Sequence, residues 1–386
     1  MNKNLPVDNI TNKIDVSLTN SGQVVLGNEK TIIDKKKISE VIINFLEKNN
    51  FDNFEEDFIQ IIKSDRIFNF FSYIELYEAQ KYLYTNKFIP FLYFRYKFKS
   101  AGQQKKVWKA PPYLLIEPVS SCNFRCPMCF QIDKSFTRKP YMGLIKWDLF
   151  KKVVDEADKI GVGAITMASR GEPTLHPELG KMLKYISKKK NILQIKINTN
   201  ASKFTQKLCD EIFEANITTV VISGDHYEKE KYEILRKNSK FEEIVKNVKM
   251  LFETRKKFPN CNTEIRISGI DLEKNLDKER FKEFWKEFAD NVTVGKAIER
   301  WDTYKNQKDE IKSACNFLWD RMYVWFDGKT NPCDADYKSY LSYGDVSKNS
   351  ILEVWNSKKI KDLREKHLNK SRQEIVPCDR CGIDFN

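Results

Sequence analysis

The chain has 386 residues, of which 41% are hydrophobic, and a net charge of +13. This length and apolar content allow two or three buried cores, whereas no apolar run approaches the ~18 residues of a membrane helix, so no membrane span is expected. With no apolar segment after Met1, the sequence predicts a cytoplasmic protein. The positive charge is spread along the chain and forms no basic stripe, so a nucleic-acid partner is not expected.

Residues 1–108 are predicted to form an α-rich extension. The stretch from Val16 to Ile33, interrupted by glycines, is typical of one or two β-hairpins. Three apolar-periodic stretches then predict helices, at Ile38 to Leu46, Phe54 to Ile62 and Phe71 to Tyr82. From Tyr82 to Lys106 aromatic and basic residues are interleaved, as in some nucleic-acid and membrane-surface binders. We interpret this segment as a structural arm whose aromatic side chains pack on the next domain.

Three cysteines follow a short apolar strand predicted at Tyr113 to Ile116. Cys122, Cys126 and Cys129 form a Cys-x3-Cys-x2-Cys pattern, and three thiolates are one short of the closed tetrahedral site that zinc normally takes. An iron–sulfur cube is normally held by four thiolates, so a cube held by these three would leave one iron open to a small-molecule ligand. A zinc loop completed by His176 or by a distant cysteine is the alternative.

Predicted strands and helices alternate after the cysteines. The strands are expected at Ala164 to Ala168, Ile192 to Asn198, Thr218 to Ser223, Thr263 to Ile270 and Val292 to Val294. The helices are expected at Ile145 to Ile160, Phe204 to Ala215, Phe241 to Lys256 and Arg280 to Phe288. Strand–helix units of this kind predict an α/β fold with parallel strands, right-handed crossovers and chemistry at the carboxyl ends of the strands.

The cysteine loop resembles that of the radical S-adenosylmethionine (SAM) superfamily. The resemblance implies a partial (β/α)6 TIM-like barrel over residues 109–300, with a 4Fe-4S cluster held by the three cysteines and SAM chelated to the open iron. Reductive cleavage of SAM would yield a 5'-deoxyadenosyl radical that removes hydrogen from a substrate, with the electron supplied by a partner such as a flavodoxin or ferredoxin. Oxygen-sensitive clusters agree with a reducing compartment.

A second segment of the family follows the second strand. In radical SAM proteins a Gly-Gly-Glu-Pro segment accepts hydrogen bonds from the SAM amino group. Here Arg170 replaces the first glycine, while Gly171, Glu172 and Pro173 match. The resemblance implies that Glu172 accepts from the SAM ammonium, although an acid at a helix N-terminus would be ordinary without the cysteines.

Three further residues are candidate SAM contacts by the same resemblance. Asn200 and Ser223 fall at strand ends, and Arg266 is a further candidate partner for the SAM carboxylate. Each of them fits a strand-end cap or a surface charge equally well. The sequence indicates no catalytic acid or base, because neither His226 nor the other two histidines, His176 and His367, have convincing partners.

Four more cysteines lie near the C-terminus: Cys315, Cys333, Cys378 and Cys381. Asp327-Gly328 between two apolar runs predicts a hairpin that places the first two on either side of a turn. Four thiolates make a closed site, for which zinc and iron–sulfur are both admissible by count. Residues 301–386 resemble the SPASM/Twitch domain of radical SAM enzymes, which implies an auxiliary 4Fe-4S cluster held by these four cysteines. The sequence fits the one-cluster Twitch form.

The expected function is that of a radical SAM enzyme of oxidoreductase or isomerase type. Its substrate would be a small polar molecule, such as a sugar, an aminocyclitol or a nucleotide-linked carbohydrate, oxidised or epimerised with the help of the auxiliary cluster. A peptide-modifying enzyme is the alternative, since strands followed by three helices are similar to the peptide-recognition domains of some such enzymes. A zinc-stabilised binding protein is the non-enzymatic alternative.

Overall fold

The computed structural model describes residues 16–18, 24–26, 29–31, 33–48, 53–272, 275–296 and 302–385. Within these ranges the strands form two sheets, one of three strands and one of nine.

The N-terminal region begins with a small antiparallel sheet. Strands β1 (Val16–Leu18), β2 (Val24–Leu26) and β3 (Glu29–Thr31) pair in that order, as the hairpin pattern predicts. Five helices follow: α1 (Lys35–Lys48), α2 (Glu56–Ile62), α3 (Ile67–Phe70), α4 (Tyr73–Gln80) and α5 (Phe88–Gln104). The three predicted helices correspond to α1, α2 and α4, and α4 begins with a capping box formed by Ser72 and Glu75.

The central region is the predicted α/β barrel. Its strands are β4 (Tyr113–Ile116), β5 (Ala164–Met167), β6 (Gln194–Thr199), β7 (Thr219–Ser223), β8 (Glu264–Asp271) and β9 (Asn291–Lys296). Its helices are α6 (Trp147–Lys159), α7 (Leu179–Ser187), α8 (Gln206–Glu214), α9 (Lys229–Leu235), α10 (Phe241–Arg255) and α11 (Lys278–Trp285). Each strand from β4 to β9 pairs in parallel with the next, which confirms the fold class.

Helices α7 and α9 were not predicted. Helix α9 has only seven residues and buries a single side chain, Tyr232, so its apolar periodicity is too short to recognise. Helix α7 is more amphipathic, with Leu179, Met182, Leu183 and Ile186 buried on one face, and its nine residues complete the crossover between β5 and β6.

The C-terminal region contains α12 (Phe317–Asp320), β10 (Arg321–Val324), β11 (Lys329–Asn331), β12 (Gly344–Asp345), α13 (Ile351–Trp355) and α14 (Lys358–Leu368). Strands β10 and β11 form the predicted antiparallel hairpin, and Gly328 in its turn has a φ of 91° that favours glycine. Strand β10 also pairs in parallel with β4, with Arg321 opposite Tyr113. The large sheet therefore runs β12-β11-β10-β4-β5-β6-β7-β8-β9, and the hairpin extends the barrel sheet.

Helix α5 occupies the predicted structural arm. Phe91, Phe94 and Phe98 are buried in the core that the arm shares with the barrel. A Cβ added at Gly163, just before β5, would collide with the ring of Phe94, so the helix and the turn make direct contact.

The amino ends of the barrel strands are covered by a buried polar layer. Gln194 at the start of β6 donates from Nε2 to Oε2 of Glu78 on α4 (2.7 Å). At the start of β8, Glu264 pairs with Arg266 (3.1 Å). In barrels of this kind the chemistry collects at the opposite, carboxyl ends of the strands.

Candidate active site

The three cysteines of the first set line one cavity of ≈ 210 Å³ at the carboxyl ends of the barrel strands. Cys122, Cys126 and Cys129 come from the loop after β4, and the rest of the lining comes mainly from residues at or just after the ends of β5, β6 and β7. Since β4 to β7 are parallel and adjacent, their carboxyl ends meet at one edge of the sheet. The topology therefore gathers these loops around the thiols.

The thiols of this loop are buried together. Burial raises the pKa of Cys122 to about 12 and that of Cys129 to about 11. Burial also raises the pKa of Cys126, against the opposing effect of the Arg236 guanidinium. Three buried thiols that disfavour ionisation on their own become thiolates when a metal centre supplies positive charge. This set of soft donors therefore fits an iron–sulfur cluster.

Arg236, which the sequence did not indicate, lies against the cysteine loop and lines its cavity. Its Nη1 is 3.8 Å from Sγ of Cys126, and its Nη2 is 2.6 Å from Oδ2 of Asp225. The backbone N–H of Arg125 donates to the carbonyl of Lys237 (2.9 Å). The end of α9 is thus fixed to the cysteine loop, and a buried guanidinium is held at the cavity wall.

Gly171 allows the segment after β5 to approach the cysteine loop. A Cβ added there would collide with the carbonyl oxygens of Val119 and Ser121. The next residue, Glu172, donates its backbone N–H to the carbonyl of Ser121 (3.0 Å). Only glycine fits such a close contact between two backbones.

The carboxylate of Glu172 is occupied by hydrogen bonds from its own chain. Oε1 accepts from the backbone N–H of Thr174 (3.0 Å) and from Oγ1 of Thr199 (2.6 Å), and Oε2 accepts from the backbone N–H of Asn200 (2.7 Å). Burial raises its pKa, and these hydrogen bonds oppose that shift. The side chain therefore joins the segment after β5 to the end of β6, and both Gly171 and Glu172 line the cavity.

Of the other candidate SAM contacts, two line the cavity and two do not. Asn200 and Ser223 line the cavity, and Asn200 Nδ2 is 3.8 Å from Sγ of Cys122. Pro173 starts a short 3-10 helix behind Glu172 and is not among the lining residues. Arg266 is not brought to the cavity: it lies in the layer at the amino ends of the strands, paired with Glu264.

The four C-terminal cysteines are also brought together. The thiols of Cys333 and Cys378 each interact electrostatically with those of Cys315 and Cys381. Burial raises the pKa of Cys315 to about 12 and those of Cys333 and Cys378 well above the usual value. Four buried soft donors at one place fit a fully ligated iron–sulfur cluster.

The ring nitrogens of the three histidines contact backbone groups rather than cysteine thiols. His176 Nε2 is 3.2 Å from the carbonyl of Ile145, and His176 does not line the cavity. His226 Nδ1 accepts from the backbone N–H groups of Tyr227 and Glu228. His367 Nδ1 accepts from the backbone N–H of Cys315, and burial lowers its pKa to about 4. Among the described residues, no three His, Cys, Asp or Glu side chains are placed to hold a single metal ion; an iron–sulfur cube does not require that placement, because each thiolate binds a different iron.

Asp334 is a residue of the C-terminal region that borders the cavity of the first cysteine set. It directly follows Cys333 of the C-terminal set, yet it lines the cavity of the first set and its charge acts on the thiol of Cys129. Asp334 was not among the residues that the sequence indicated, although it stands next to Cys333 of the second set. The cavity is therefore built from both the barrel and the C-terminal region.

Family models match both regions. Residues 116–294 match the model of the radical SAM superfamily, and residues 315–382 match the SPASM iron–sulfur cluster-binding domain. The chain belongs to the radical SAM superfamily and carries a SPASM domain after its radical SAM domain. Its cofactors are accordingly a 4Fe-4S cluster with SAM and an auxiliary iron–sulfur centre, and the zinc-stabilised alternative is not supported.

Curated relatives match parts of the chain. A tungsten-containing aldehyde ferredoxin oxidoreductase cofactor-modifying protein of Pyrococcus furiosus is 33% identical over 114 residues, which are 29% of this chain and 30% of that protein. GTP 3',8-cyclase of Clostridium botulinum is 24% identical over 159 residues, 41% of this chain and 49% of the relative. The chain thus spans between about a third and a half of the length of these relatives.

Solved structures share the fold. SuiB of Streptococcus suis bound to S-adenosylmethionine has a TM-score of 0.52 at 15% identity, covering 97% of this chain and 94% of SuiB. SuiB bound to its precursor peptide SuiA has a TM-score of 0.51 at 13% identity, covering 85% and 91% of the two chains.

None of the helices among the described residues is long and apolar enough to cross a membrane.

Proposed function

We propose that this protein is a radical SAM enzyme that removes a hydrogen atom from a small polar substrate and oxidises or epimerises it. The observation that carries the proposal is the shared cavity, in which Asp334 of the SPASM region borders the same space as Cys122, Cys126 and Cys129. A substrate placed there contacts residues of both regions at once. The proposed units are residues 1–108, 109–300 and 301–386.

Cys122, Cys126 and Cys129 are the proposed ligands of the cluster that binds SAM. When bound, the cluster and SAM supply a 5'-deoxyadenosyl radical, with the electron delivered by a partner such as a flavodoxin or ferredoxin. Among the residues that line the cavity, Cys126 and Phe124 are buried.

Arg236, Ser223 and Asn200 are the proposed contacts of SAM in this cavity. A guanidinium pairs strongly with a carboxylate, and Arg236 is held in place by Asp225, so it replaces Arg266 as the carboxylate partner. The hydroxyl of Ser223 and the amide of Asn200 can bind ribose or carboxylate oxygens. The backbone of Gly171 and Glu172 is the proposed acceptor for the SAM ammonium.

Asp334 is the proposed substrate contact of the SPASM region. A carboxylate at the cavity wall accepts hydrogen bonds from hydroxyl or ammonium groups, which sugars and aminocyclitols carry in number. Asn198, which also lines the cavity and is not a proposed SAM contact, adds an amide that can bind the same groups.

Cys315, Cys333, Cys378 and Cys381 are the proposed ligands of one auxiliary cluster. With all four ligands supplied by the chain, its proposed task is to exchange an electron with the substrate site. Asp334, the proposed substrate contact, directly follows Cys333, a proposed cluster ligand. The proposed substrate position therefore lies close to this cluster.

The test is anaerobic reconstitution followed by assay of 5'-deoxyadenosine by mass spectrometry, with a panel of deuterated sugars and aminocyclitols as substrates. We expect 5'-deoxyadenosine from the wild type, none from Cys126→Ala, and continued formation by Cys378→Ala with about four irons fewer per chain. Deuterium transferred into 5'-deoxyadenosine identifies the substrate class. A fully loaded wild type that neither binds SAM nor forms 5'-deoxyadenosine contradicts the proposal.

A peptide substrate is the second candidate. The likeness to SuiB extends over 97% of the chain and thus includes the N-terminal region, whose three-stranded sheet precedes helices. Incubation with a precursor peptide encoded beside the gene decides between the two: a mass change in the peptide that requires SAM and Cys126 favours the peptide. Deuterium transfer from a sugar without any effect of the peptide favours the small molecule.

A further inference from the structure

A second cavity, of ≈ 470 Å³, lies on the side of the barrel away from the cysteine loop. Helix α5 forms one wall, and the turns before β5 and β6, at Gly161 to Gly163 and Lys190 to Leu193, form another. It shares no lining residue with the cavity of the cysteine loop. Its volume is within the range of pockets that enclose small ligands.

The charged side chains that line this cavity are all lysines. Lys87, Lys97 and Lys190 contribute three positive charges, and no carboxylate among the described residues forms an ion pair with them. The acids nearby are engaged elsewhere: Glu55 pairs with Lys106 (2.9 Å), and Asp158 Oδ1 accepts from the backbone N–H of Asn191. Among the described residues, the lining of the cavity therefore carries three lysines and no carboxylate.

Lys97 is the most enclosed of the three. Its Nζ has a long hydrogen bond to the carbonyl of Gly161 (3.5 Å) and lies 5.0 Å from the centroid of the Tyr93 ring. Burial lowers its pKa, which reflects an ammonium group deprived of water without an acid to replace it. An anionic ligand would supply the missing charge.

Aromatic rings form the remaining wall. Phe54 and Tyr93 meet edge to face with centroids 4.9 Å apart, and Phe94 of the same helix lines the cavity beside them. Asn53, Asn86 and Asn191 also line the cavity. Rings bind planar heteroaromatic groups, amides read their polar edges, and lysines bind phosphate.

We propose that this cavity is a second binding site, for a small phosphate-bearing aromatic molecule of the nucleotide class. Lys87, Lys97 and Lys190 bind the phosphate groups, and the wall of Phe54 and Tyr93 holds the ring. The site is independent of the radical chemistry, because its residues come from the N-terminal region and from the opposite end of the barrel.

The test is calorimetric titration of ADP into the anaerobically reconstituted full-length protein, with saturating SAM present so that the first cavity is filled. We expect saturable binding of one ADP, weakened about tenfold or more by Lys97→Gln and by Lys190→Gln. The matched control is Lys188→Gln, an exposed lysine of the same turn that does not line the cavity, and it should leave the affinity unchanged. Adenosine and inorganic phosphate, which each carry half of the recognition, should bind more weakly than ADP.

The proposal is overturned if ADP shows no saturable binding at millimolar concentration, if adenosine binds as tightly as ADP, or if Lys188→Gln weakens binding as much as Lys190→Gln. Circular dichroism checks the fold of Lys97→Gln, whose side chain is part of the packing. If that variant is unfolded, Lys190→Gln decides, because Lys190 is exposed and its substitution removes charge without opening the core.

Discussion

Arg170 and Glu117 form a buried bidentate ion pair where the barrel meets the SPASM region. Nε of Arg170 is 2.7 Å from Oε1 of Glu117, and Nη2 is 2.6 Å from Oε2. Nη1 donates to the carbonyl of Tyr337 (2.9 Å), and the guanidinium stands 4.2 Å from the centroid of the Trp325 ring. Arg170 takes the place of the first glycine of the family segment, and there it links the loops around the cysteine cavity to the SPASM region.

Removal of one partner of this pair should destabilise the protein strongly. Arg170→Met leaves the carboxylate of Glu117 buried without its cation, which costs roughly 3–5 kcal/mol in the free energy of unfolding. The double variant Glu117→Gln/Arg170→Met should recover most of that loss, because no uncompensated charge remains. Urea unfolding under anaerobic conditions, followed by tryptophan fluorescence, measures both.

The exposed pair Lys358 and Asp362 provides the control for that experiment. Its side chains are 87% and 49% exposed, so Asp362→Asn should leave the unfolding midpoint where it is. An Arg170→Met variant as stable as Asp362→Asn would show that the buried pair is not a structural link.

Two arginines are candidate partners of the SAM carboxylate: Arg236, which we propose from its place in the cavity, and Arg266, which the sequence resemblance suggested. Arg236 lines the cysteine cavity, whereas Arg266 is paired with Glu264 at the other end of the barrel. Arg236→Lys should weaken SAM binding about tenfold or more, since a lysine cannot keep both the contact with Asp225 and a bidentate contact with a carboxylate. Arg266→Lys should leave the affinity for SAM unchanged. Equilibrium dialysis with labelled SAM on the reconstituted proteins measures both, and the reverse order of effects would restore Arg266.

The fold was largely predictable because its signals are local. The strand–helix alternation that ends with β9 follows apolar runs of ordinary length, and the hairpin of β10 and β11 follows from Asp327-Gly328. What the sequence could not show is that β10 joins β4 in parallel, since that pairing connects residues some two hundred positions apart and leaves no local pattern.

The candidate site was predictable where cysteine spacing marks it and not where the fold brings single residues together. Cys122 and Cys333 belong to recognisable sets, whereas Arg236 stands in a charged stretch that looks like a solvated helix face. The resemblance to radical SAM enzymes made Arg266 a candidate SAM contact, but its position along the strand decides which end of the barrel it reaches. Its third position on β8 places it near the start, among Glu264 and Asn291, away from the cavity.

Gly171→Ala should prevent the close contact between the segment after β5 and the loop after β4. The added methyl group would collide with the carbonyls of Val119 and Ser121, and backbone cannot move aside as a flexible side chain can. We expect a loss of roughly 1–3 kcal/mol in stability and a lower SAM affinity. The control is Gly102→Ala in helix α5, where the nearest atoms to the new Cβ are side-chain atoms of Asn316 at 3.3 Å and alanine favours the helix. Equal SAM affinity of the two variants would contradict the close contact at Gly171.

Lys196 should make the stability of the barrel depend on pH above neutrality. It lies within β6, and burial lowers its pKa to about 8, against the attraction of Glu78. In the unfolded chain the ammonium keeps its proton up to its usual pKa of 10.5. Between these two values the unfolded state therefore binds more protons than the folded state, and stability rises with pH.

The comparison that isolates this residue is between the wild type and Lys196→Met, which share every other titrating group. The free energy of unfolding of the wild type, relative to that of the variant, should increase by about 2–3 kcal/mol from pH 8 to pH 10.5 and stay level below pH 8. Urea unfolding at half-unit steps of pH measures the difference, and Lys196→Gln, which also cannot titrate, should give the same slope. A difference that is flat or that falls with pH would mean that Lys196 keeps its proton inside the folded barrel.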